Sequence, residues 1–339
     1  LPQQERVRKR AGGDLTIPDG YTRKSMNGGL LPIGVIYEHE DWLAPLFGAL
    51  EGAGVPYERV FADTLVFDPA AAPPRWSLAL NKVSPSSYLR GHSASIAYAR
   101  HVFPFLEEHG VPVVNGSAAF RVETSKALQL LLLHRLGIRA PRAHVANDAA
   151  QVVDAATGLR FPVIVKPNVG GSGALMRRFD SLDALRGAVS ELDGGPDGTF
   201  VVQEYLEPAD GRIVRVEFLD GECLYAIGIT NTNDDFNLCP ADICQVPEFE
   251  NCPVDAPTKK PLRIEAVAAP AEIVADVLRI ARAGGLDVGG VEYLIAARDG
   301  LPYIYDINAL SNFVTDAPAL VGFDPHARFA AYLARRASQ

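Results

Sequence analysis

The chain has 339 residues, 48% of them hydrophobic, so it can bury an extensive core and is long enough for two or three lobes. Its net charge of −9 argues against a general nucleic-acid surface and for small or basic partners. The sequence has neither an apolar run of the roughly 18–20 residues that a membrane helix needs nor the apolar stretch of a secretory signal. Four cysteines are too few to suggest a disulfide scaffold. We therefore expect a cytoplasmic protein that binds neither nucleic acid nor membranes.

The first 29 residues differ in composition from the rest. They are polar and charged with few apolar side chains, and we predict a disordered leader over 1–29. From Leu31 onward strands alternate with helices, which predicts an open parallel sheet over residues 30–115. The predicted strands are Leu31–Tyr37, Val55–Phe61, Trp76–Asn81 and Val111–Val114, and the predicted helices are Trp42–Ala53 and about 93–109. The polar segment Asn81–Arg90 follows a predicted strand, at the sheet edge where ligands of parallel sheets gather.

A glycine-rich loop is the main feature of the predicted central lobe, residues 116–206. A β-branched run predicts a buried strand that ends at Lys166, and Pro167 then holds the chain extended. In the loop Gly170–Gly173 that follows, glycines let backbone N–H groups approach an anion, and the lysine adds a positive charge. This segment predicts a site for nucleotide phosphates, with a mobile turn as the alternative. Further elements of this lobe are predicted over Thr124–Leu136, Ser181–Leu192 and Phe200–Tyr205.

The predicted C-terminal lobe covers residues 207–335 and contains a long irregular segment. A hairpin is predicted with strands Val214–Leu219 and Cys223–Ile229, and a helix over Ala271–Ala283. Between them, residues 230–261 are long for a loop, and we expect a lid that closes over the acceptor substrate. Cys239, Cys244 and Cys252 invite a zinc interpretation, but no CxxC pair or nearby histidine supports it.

Two further strands predict a metal site. Glu292 lies in the first strand, and Asp306 and Asn308, two residues apart and so on one face, lie in the second. The turn Asp299-Gly300 predicts a hairpin that brings Glu292 beside Asp306. Carboxylate and amide oxygens are hard ligands suited to Mg²⁺. The alternative is a solvent-facing edge strand, in which these groups bind nothing.

Taken in order, a Val-Lys-Pro strand, a Gly-Gly-Ser-Gly loop, a Gln-Glu-Tyr-Leu segment and a Glu…Asp-x-Asn pair resemble the ATP-grasp enzymes, most closely the RimK-type carboxylate–amine ligases. Glutathione synthetases and D-alanine–D-alanine ligases are relatives of that group. The resemblance covers roughly residues 80–330. It implies an α/β protein with the ATP-grasp fold, in which an N-terminal parallel-sheet domain precedes two α+β lobes that clamp ATP.

The resemblance also implies roles for individual residues. Lys126 and Lys166 match the two lysines that bind ATP phosphates, and Arg215 matches the arginine that faces the phosphoryl group. The flap over the phosphates corresponds to Gly170, Gly171, Ser172 and Gly173. The hinge that binds adenine corresponds to Glu204, whose carboxylate accepts from the amino group, with backbone contacts from Tyr205 and Leu206. The metal ligands correspond to Glu292, Asp306 and Asn308.

The chain departs from the family pattern at the position expected to contact the ribose of ATP. The family usually has Asp-x-Arg where this chain has Ile213, so a ribose contact is assigned to Asp210 or Glu207.

In RimK-like enzymes the loop at 81–90 faces the substrates, and a plain surface loop is the equal alternative here. The substrate candidates are Lys82, Ser84, Tyr88, Arg90, Ser311 and Asn312. Arg90 is expected to meet an anionic substrate group, because an arginine fork suits a carboxylate.

The activity implied by the resemblance is formation of an amide or peptide bond through an acyl phosphate, with release of ADP and phosphate. ATP and Mg²⁺, or Mn²⁺ in its place, are the implied cofactors. Small-molecule or peptide carboxylates and amines are the implied substrates, and a homodimer is left open. Two alternatives remain: an ATP-grasp enzyme with another acceptor, either a kinase or a thiol or hydroxyl acylase, and a non-catalytic ATP-binding regulatory protein.

Overall fold

The computed structural model describes residues 30–230 and 262–339, which form three sheets with helices around them. Across these residues every helix falls short of the length or apolar character needed to span a bilayer. The predicted leader, the predicted lid and the three cysteines of the zinc interpretation lie outside the described residues.

The first sheet is parallel, as the alternation of strands and helices predicts. Its strand order is β2-β1-β3-β4, with β1 (Ile33–Tyr37), β2 (Tyr57–Phe61), β3 (Leu78–Lys82) and β4 (Val113–Val114). Helices α1 (Ala44–Gly52) and α2 (Ser93–Glu108) cover opposite faces, so β1 is buried at every position. The helix predicted from Trp42 begins instead as a 3₁₀ turn, because Pro45 lies in the first turn of α1.

The second sheet is antiparallel and carries the glycine-rich loop. Its order is β5-β8-β6-β7, with β5 (Ala143–Ala146), β6 (Val163–Pro167), β7 (Arg177–Phe179) and β8 (Phe200–Glu204). Helices α5 (Val152–Ala156) and α6 (Leu182–Ala188) cover one face, where Val163, Val165 and Val202 are buried with them. Because side chains alternate along a strand, Ile164, Lys166 and Gln203 point to the opposite face.

The third sheet is antiparallel and has the order β11-β10-β9-β12-β13. Its strands are β9 (Arg212–Leu219), β10 (Glu222–Thr230), β11 (Arg263–Val267), β12 (Val288–Ile295) and β13 (Pro302–Asn308). Helices α3 (Ser117–Glu123), α4 (Lys126–Arg135) and α7 (Ala271–Gly284) pack on one face. Both predicted hairpins, at Asp220-Gly221 and at Asp299-Gly300, are confirmed.

The first and third sheets share one hydrophobic core. Two short helices, α8 (Ala317–Val321) and α9 (Pro325–Ala337), end the chain, and α9 packs against α1. The buried side chain of Asn115 joins the same two units. Its Nδ2 donates to the carbonyls of Val288 and Ala309 at 2.7 and 2.6 Å, and its Oδ1 accepts from the N–H groups of Asp287 and Val288 at 2.6 and 3.3 Å.

Candidate active site

A cavity of about 800 Å³ lies between the second and third sheets and reaches the first. Most of the predicted site residues line it. They are Ser84, Lys126, Lys166, Gly170, Gly171, Ser172, Gly173, Glu204, Tyr205, Leu206, Arg215, Glu292, Asp306, Asn308 and Asn312. Five other predicted residues do not line the cavity in the described structure, namely Lys82, Tyr88, Arg90, Asp210 and Ser311.

The floor of the cavity is part of the face of the third sheet opposite α3, α4 and α7. Glu292 on β12 pairs with Arg215 on one side and with Asp306 on the other, which confirms the predicted contact between Glu292 and Asp306. Gly290 makes this arrangement possible. A Cβ atom there would lie 2.6 Å from Nε and Nη2 of Arg215, so the guanidinium can lie over the strand only because residue 290 has no side chain.

Ion pairs connect the groups of this floor. Arg215 donates from Nε to Glu217 at 2.6 Å and from Nη1 to Glu292 at 3.0 Å. Glu292 also accepts from the Tyr305 hydroxyl at 3.0 Å. Asp306 binds Lys126 and accepts from Asn308 Nδ2 at 3.1 Å. The predicted phosphate-binding lysine and a predicted metal ligand are therefore partners within the protein itself.

The pKa values of the ionisable groups in the floor are shifted in different directions. Burial raises the pKa of Glu292, and the negative charge of Asp306 raises it further despite Arg215. Burial would also raise the pKa of Asp306, but Lys126 and Lys166 outweigh it and hold that pKa below its usual value. Burial lowers the pKa of Lys166 to about 8, with a further lowering from Lys126. A buried lysine with so low a pKa gains from an added negative charge beside it.

Three hydrogen bonds to Asn168 bring the lysines together. The carbonyl of Asn168, which follows β6, accepts from the N–H of Lys126 at 3.0 Å, and its side-chain Oδ1 accepts from Ala127 N at 2.9 Å. Ser125 caps α4 and donates from Oγ to the same Oδ1 at 3.1 Å. The start of α4 is thus fixed to the end of the strand that carries Lys166. Sequence reasoning missed Asn168, since its partner lies about 40 residues earlier in the chain.

The hinge places Glu204 and Gln203 on opposite faces of β8. Glu204 lines the cavity, but its carboxylate lies on the helix-covered face of β8, opposite Val163. There it accepts from Arg298 Nη1 at 2.8 Å and from the N–H of Arg160 at 3.1 Å, so the expected contact with the adenine amino group would compete with two internal donors and stays a prediction. Gln203 points into the cavity instead. Alternation from Lys166 across the strand pair could have identified it.

The residues after β8 complete the wall. Leu206 is buried, and Tyr205 lies beneath the guanidinium of Arg178, with 4.5 Å between Arg178 Cζ and the ring centroid. Of the two residues considered for ribose, Glu207 lines the cavity. Asp210 does not, because its carboxylate binds Arg212 at 2.9 Å and also accepts from the N–H of that residue.

Arg90, expected to meet an anionic substrate group, binds a carboxylate of the protein itself. The Arg90 guanidinium binds the buried carboxylate of Glu38 and lies 4.2 Å from the ring centroid of Trp42. Its carboxylate partner is therefore inside the protein. Trp42, Ser84 and Ser86 line the cavity above this pair.

The remaining substrate candidates connect parts of the fold. Lys82 donates from Nζ to the Ser311 carbonyl at 3.0 Å and to Asn312 Oδ1 at 3.3 Å, which joins β3 to the segment after β13. Ser311 Oγ accepts from the N–H of Phe313. Burial raises the pKa of Tyr88 to about 12, and a Cβ atom on Gly170 would lie 3.5 Å from the Tyr88 hydroxyl. Tyr88 thus lies against the glycine-rich loop.

The metal prediction rests on two carboxylates and one amide. Within the described residues no three His, Cys, Asp or Glu side chains form a group that could hold a metal. Glu292, Asp306 and Asn308 form a different kind of group, with two carboxylates and one amide. Their oxygens lie on adjacent strands facing the cavity, and this donor set fits Mg²⁺ or Mn²⁺.

The arrangement of the three sheets around this cavity is that of known ATP-grasp structures. D-cycloserine synthetase DcsG superposes with a TM-score of 0.65 at 18% identity, over 90% of this chain and 99% of that one. The ATP-grasp ligase PsnB, in complex with a minimal precursor, superposes with a TM-score of 0.60 at 20% identity, over 91% and 99% of the two chains. The chain therefore has the ATP-grasp fold.

Sequence similarity gives the type of ATP-grasp domain. Residues 123–240, about a third of the chain, match the family described as RimK-like ATP-grasp domain. The α-aminoadipate–LysW ligase LysX of Saccharolobus solfataricus is 29% identical over 132 residues, which are 38% of this chain and 48% of LysX. The chain thus spans about half the length of this curated relative.

Proposed function

We propose that the protein is an ATP-dependent carboxylate–amine ligase, which forms an amide or peptide bond through an acyl phosphate and releases ADP and phosphate. The observation that carries this proposal is the floor of the cavity. Three cations, Lys126, Lys166 and Arg215, lie beside the carboxylates Glu292 and Asp306, buried in one cleft that also contains a glycine-rich loop. Such a set suits the neutralisation of a transferring phosphoryl group.

ATP would lie with its phosphates over the third sheet and its base at the hinge. Lys126 and Lys166 hold the phosphates as positive charges, and backbone N–H groups of the loop 170–173 approach them closely. The base lies near Gln203, Tyr205 and Leu206, which line that end of the cavity. Glu292, Asp306 and Asn308 would hold Mg²⁺, which supplies charge neutralisation between phosphate oxygens when it is bound.

The ion pair of Lys126 with Asp306 suggests how the site accepts this ligand. Both side chains are largely buried, so each needs an opposite charge near it. A phosphate can take the place of Asp306 beside Lys126, and a cation can take the place of Lys126 beside Asp306. Nucleotide and metal then replace one internal ion pair by two new ones, and neither buried group loses its partner.

The reaction consists of two displacements. A substrate carboxylate oxygen attacks the γ-phosphorus of ATP, the bond to the β,γ-bridging oxygen breaks, and ADP leaves with the electron pair. An amine then attacks the carbonyl carbon of the acyl phosphate, phosphate leaves, and the nitrogen loses a proton to form the amide. Arg215 lies where it can stabilise negative charge on the transferred group. Placement and charge neutralisation account for the catalysis, so no nucleophilic side chain is required.

We infer that the substrates are small-molecule or peptide carboxylates and amines. The similar proteins support this range, since LysX is named for the ligation of α-aminoadipate to LysW and PsnB is described with a precursor peptide. Specificity then depends on residues outside the nucleotide site, such as Trp42, Ser84 and Asn312 at the other end of the cavity.

The experiment that tests the function is a screen for ATP turnover with mixed carboxylates and amines, followed by mass analysis of the products. We expect ADP and phosphate to form only when both substrates are present, with a product mass equal to acid plus amine minus water. ADP release with a phosphorylated, thioester or ester product would identify another acceptor. Tight nucleotide binding without turnover across a broad screen would favour the non-catalytic alternative.

A further inference from the structure

Glu217 lies on β9 next to the proposed site, and none of the roles above includes it. Its side chain has no exposed surface, and it points to the same face of the sheet as Arg215, two residues earlier. Oε1 accepts from Arg215 Nε at 2.6 Å. Oε2 is buried and has no hydrogen-bond partner among the described residues.

A buried carboxylate with one unsatisfied oxygen is an expensive choice for a purely structural position. The same face of β9 has apolar residues, Ile213 and Leu219, on either side of the pair. An apolar residue at 217 would therefore fit the surrounding core. The carboxylate at this position indicates that Arg215 requires a negative charge beside it. Arg215 is the only side chain to which the described structure connects Glu217 by a hydrogen bond.

Glu292 cannot meet that requirement throughout the reaction. In the described structure it binds both Arg215 and Tyr305, and it is also a proposed metal ligand. A cation bound to Glu292 would weaken its attraction for the Arg215 guanidinium, because one carboxylate would then serve two positive charges. Gly290 lets the guanidinium lie close over the strand backbone, and the hydrogen bond from Nε to Glu217 fixes the direction in which its terminal nitrogens point.

We propose that Glu217 is a positioning residue that holds Arg215 toward the transferred phosphoryl group while Glu292 is engaged with the metal. Glu217 holds the guanidinium at Nε, behind the two terminal nitrogens that would meet the phosphoryl oxygens. Its position on the same strand as Arg215 makes this contact independent of movement between strands. The proposal rests on the proposed function, since Arg215 needs a fixed direction only if it meets a transferring group.

The test uses MgADP with aluminium fluoride, a mimic of the transferred phosphoryl group, and needs no organic substrate. Titration calorimetry measures the affinity for MgADP with and without aluminium fluoride in the wild-type protein and in Glu217→Gln. We expect aluminium fluoride to tighten MgADP binding to the wild type. In Glu217→Gln this gain should fall about 10- to 100-fold, as for a misplaced catalytic contact, while affinity for MgADP alone stays within about 2-fold. Glu222→Gln, the same change at an exposed position of the next strand, is the matched control.

Two further variants separate positioning from other roles. In an Arg215→Ala background, Glu217→Gln should cause no further loss, because the residue acts through Arg215. Glu217→Asp, which keeps the charge but withdraws it, should show a smaller loss and serves as the test if Glu217→Gln does not fold. An undiminished gain in folded Glu217→Gln, an additive loss in the double variant, or a wild-type protein without any gain would overturn the inference. Absence of MgADP binding in the wild type would instead refute the proposed function.

Discussion

Two buried arginines, Arg215 in the floor of the cavity and Arg90 beside the first sheet, illustrate opposite uses of charge. Arg215 binds two carboxylates, Glu217 on its own strand and Glu292 on the next, and it lines the cavity together with Glu292. Arg90 binds one carboxylate, Glu38, beneath the ring of Trp42. A ligand in the cavity can compete for Glu292, whereas Glu38, the partner of Arg90, is buried and does not line the cavity. Burial of an ion pair alone therefore does not identify a site; access to a cavity does.

The largest effect should come from the floor. We expect Asp306→Ala to reduce ATP turnover at least about 1,000-fold, because several kcal/mol of charge neutralisation at the phosphates is lost with a metal ligand. Steady-state ADP release measures this change. Asp183→Ala removes an exposed carboxylate on α6 and should leave turnover unchanged. Substantial turnover by folded Asp306→Ala would refute the metal assignment.

The ion pair of Arg90 with Glu38 should instead affect stability. Arg90→Ala leaves Glu38 buried without its partner, and we expect the free energy of unfolding to fall by about 3–5 kcal/mol. Chemical denaturation measures this loss. Replacing both residues, as in Glu38→Leu with Arg90→Met, should recover most of it. If Arg90→Ala keeps wild-type stability but raises the Michaelis constant of an organic substrate, Arg90 binds substrate and the contrast with Arg215 fails.

A lysine in the floor should show a smaller effect on binding. We expect Lys166→Ala to weaken nucleotide affinity about 10- to 100-fold, the loss of one charge-assisted hydrogen bond. Lys166→Arg should restore only part of it, since a planar fork does not replace a compact ammonium. Calorimetric titration with ADP measures both, and Arg186→Ala on exposed α6 is the control. Wild-type affinity in Lys166→Ala would rule out its phosphate role.

The smallest effect concerns pH. Burial lowers the pKa of Lys166 to about 8, so the lysine is protonated below that pH and loses its proton above it. The bound phosphates favour the protonated form, so nucleotide affinity should be constant below pH 8 and fall by up to about 10-fold per unit above it. Lys166→Arg should remove this dependence. A wild-type affinity that is flat between pH 7 and 9.5 would contradict the prediction.

The floor of the cavity could be predicted from the sequence, because its information is local. The two-residue spacing of Asp306 and Asn308 and the turn at Asp299-Gly300 together determine which side chains meet. The ion pairs could not be predicted in the same way. Lys126 and Asp306 are 180 residues apart, and Arg90 and Glu38 are 52 apart, so only the assembled fold determines these partners.

The hinge was only partly predictable from the sequence. Its position after the strand was predictable, but the direction of the Glu204 side chain was not taken from the alternation along β8. That alternation, counted from the pairing of Val163 with Glu204, directs Gln203 to the cavity side. The partner of Glu204, Arg298, lies 94 residues later and again required the fold.

The carboxamide of Asn115 also has a consequence for motion. It makes four hydrogen bonds to residues at the start of β12 and the end of β13, which lie side by side in the third sheet, and α1 and α9 close the same boundary with a shared apolar core. Any rotation of the first sheet against the third would have to break all of these contacts together. We therefore expect those two sheets to behave as a single rigid jaw. Under the proposed function, we expect the entry of nucleotide and the release of ADP to depend on how far the second sheet, the other jaw, can move.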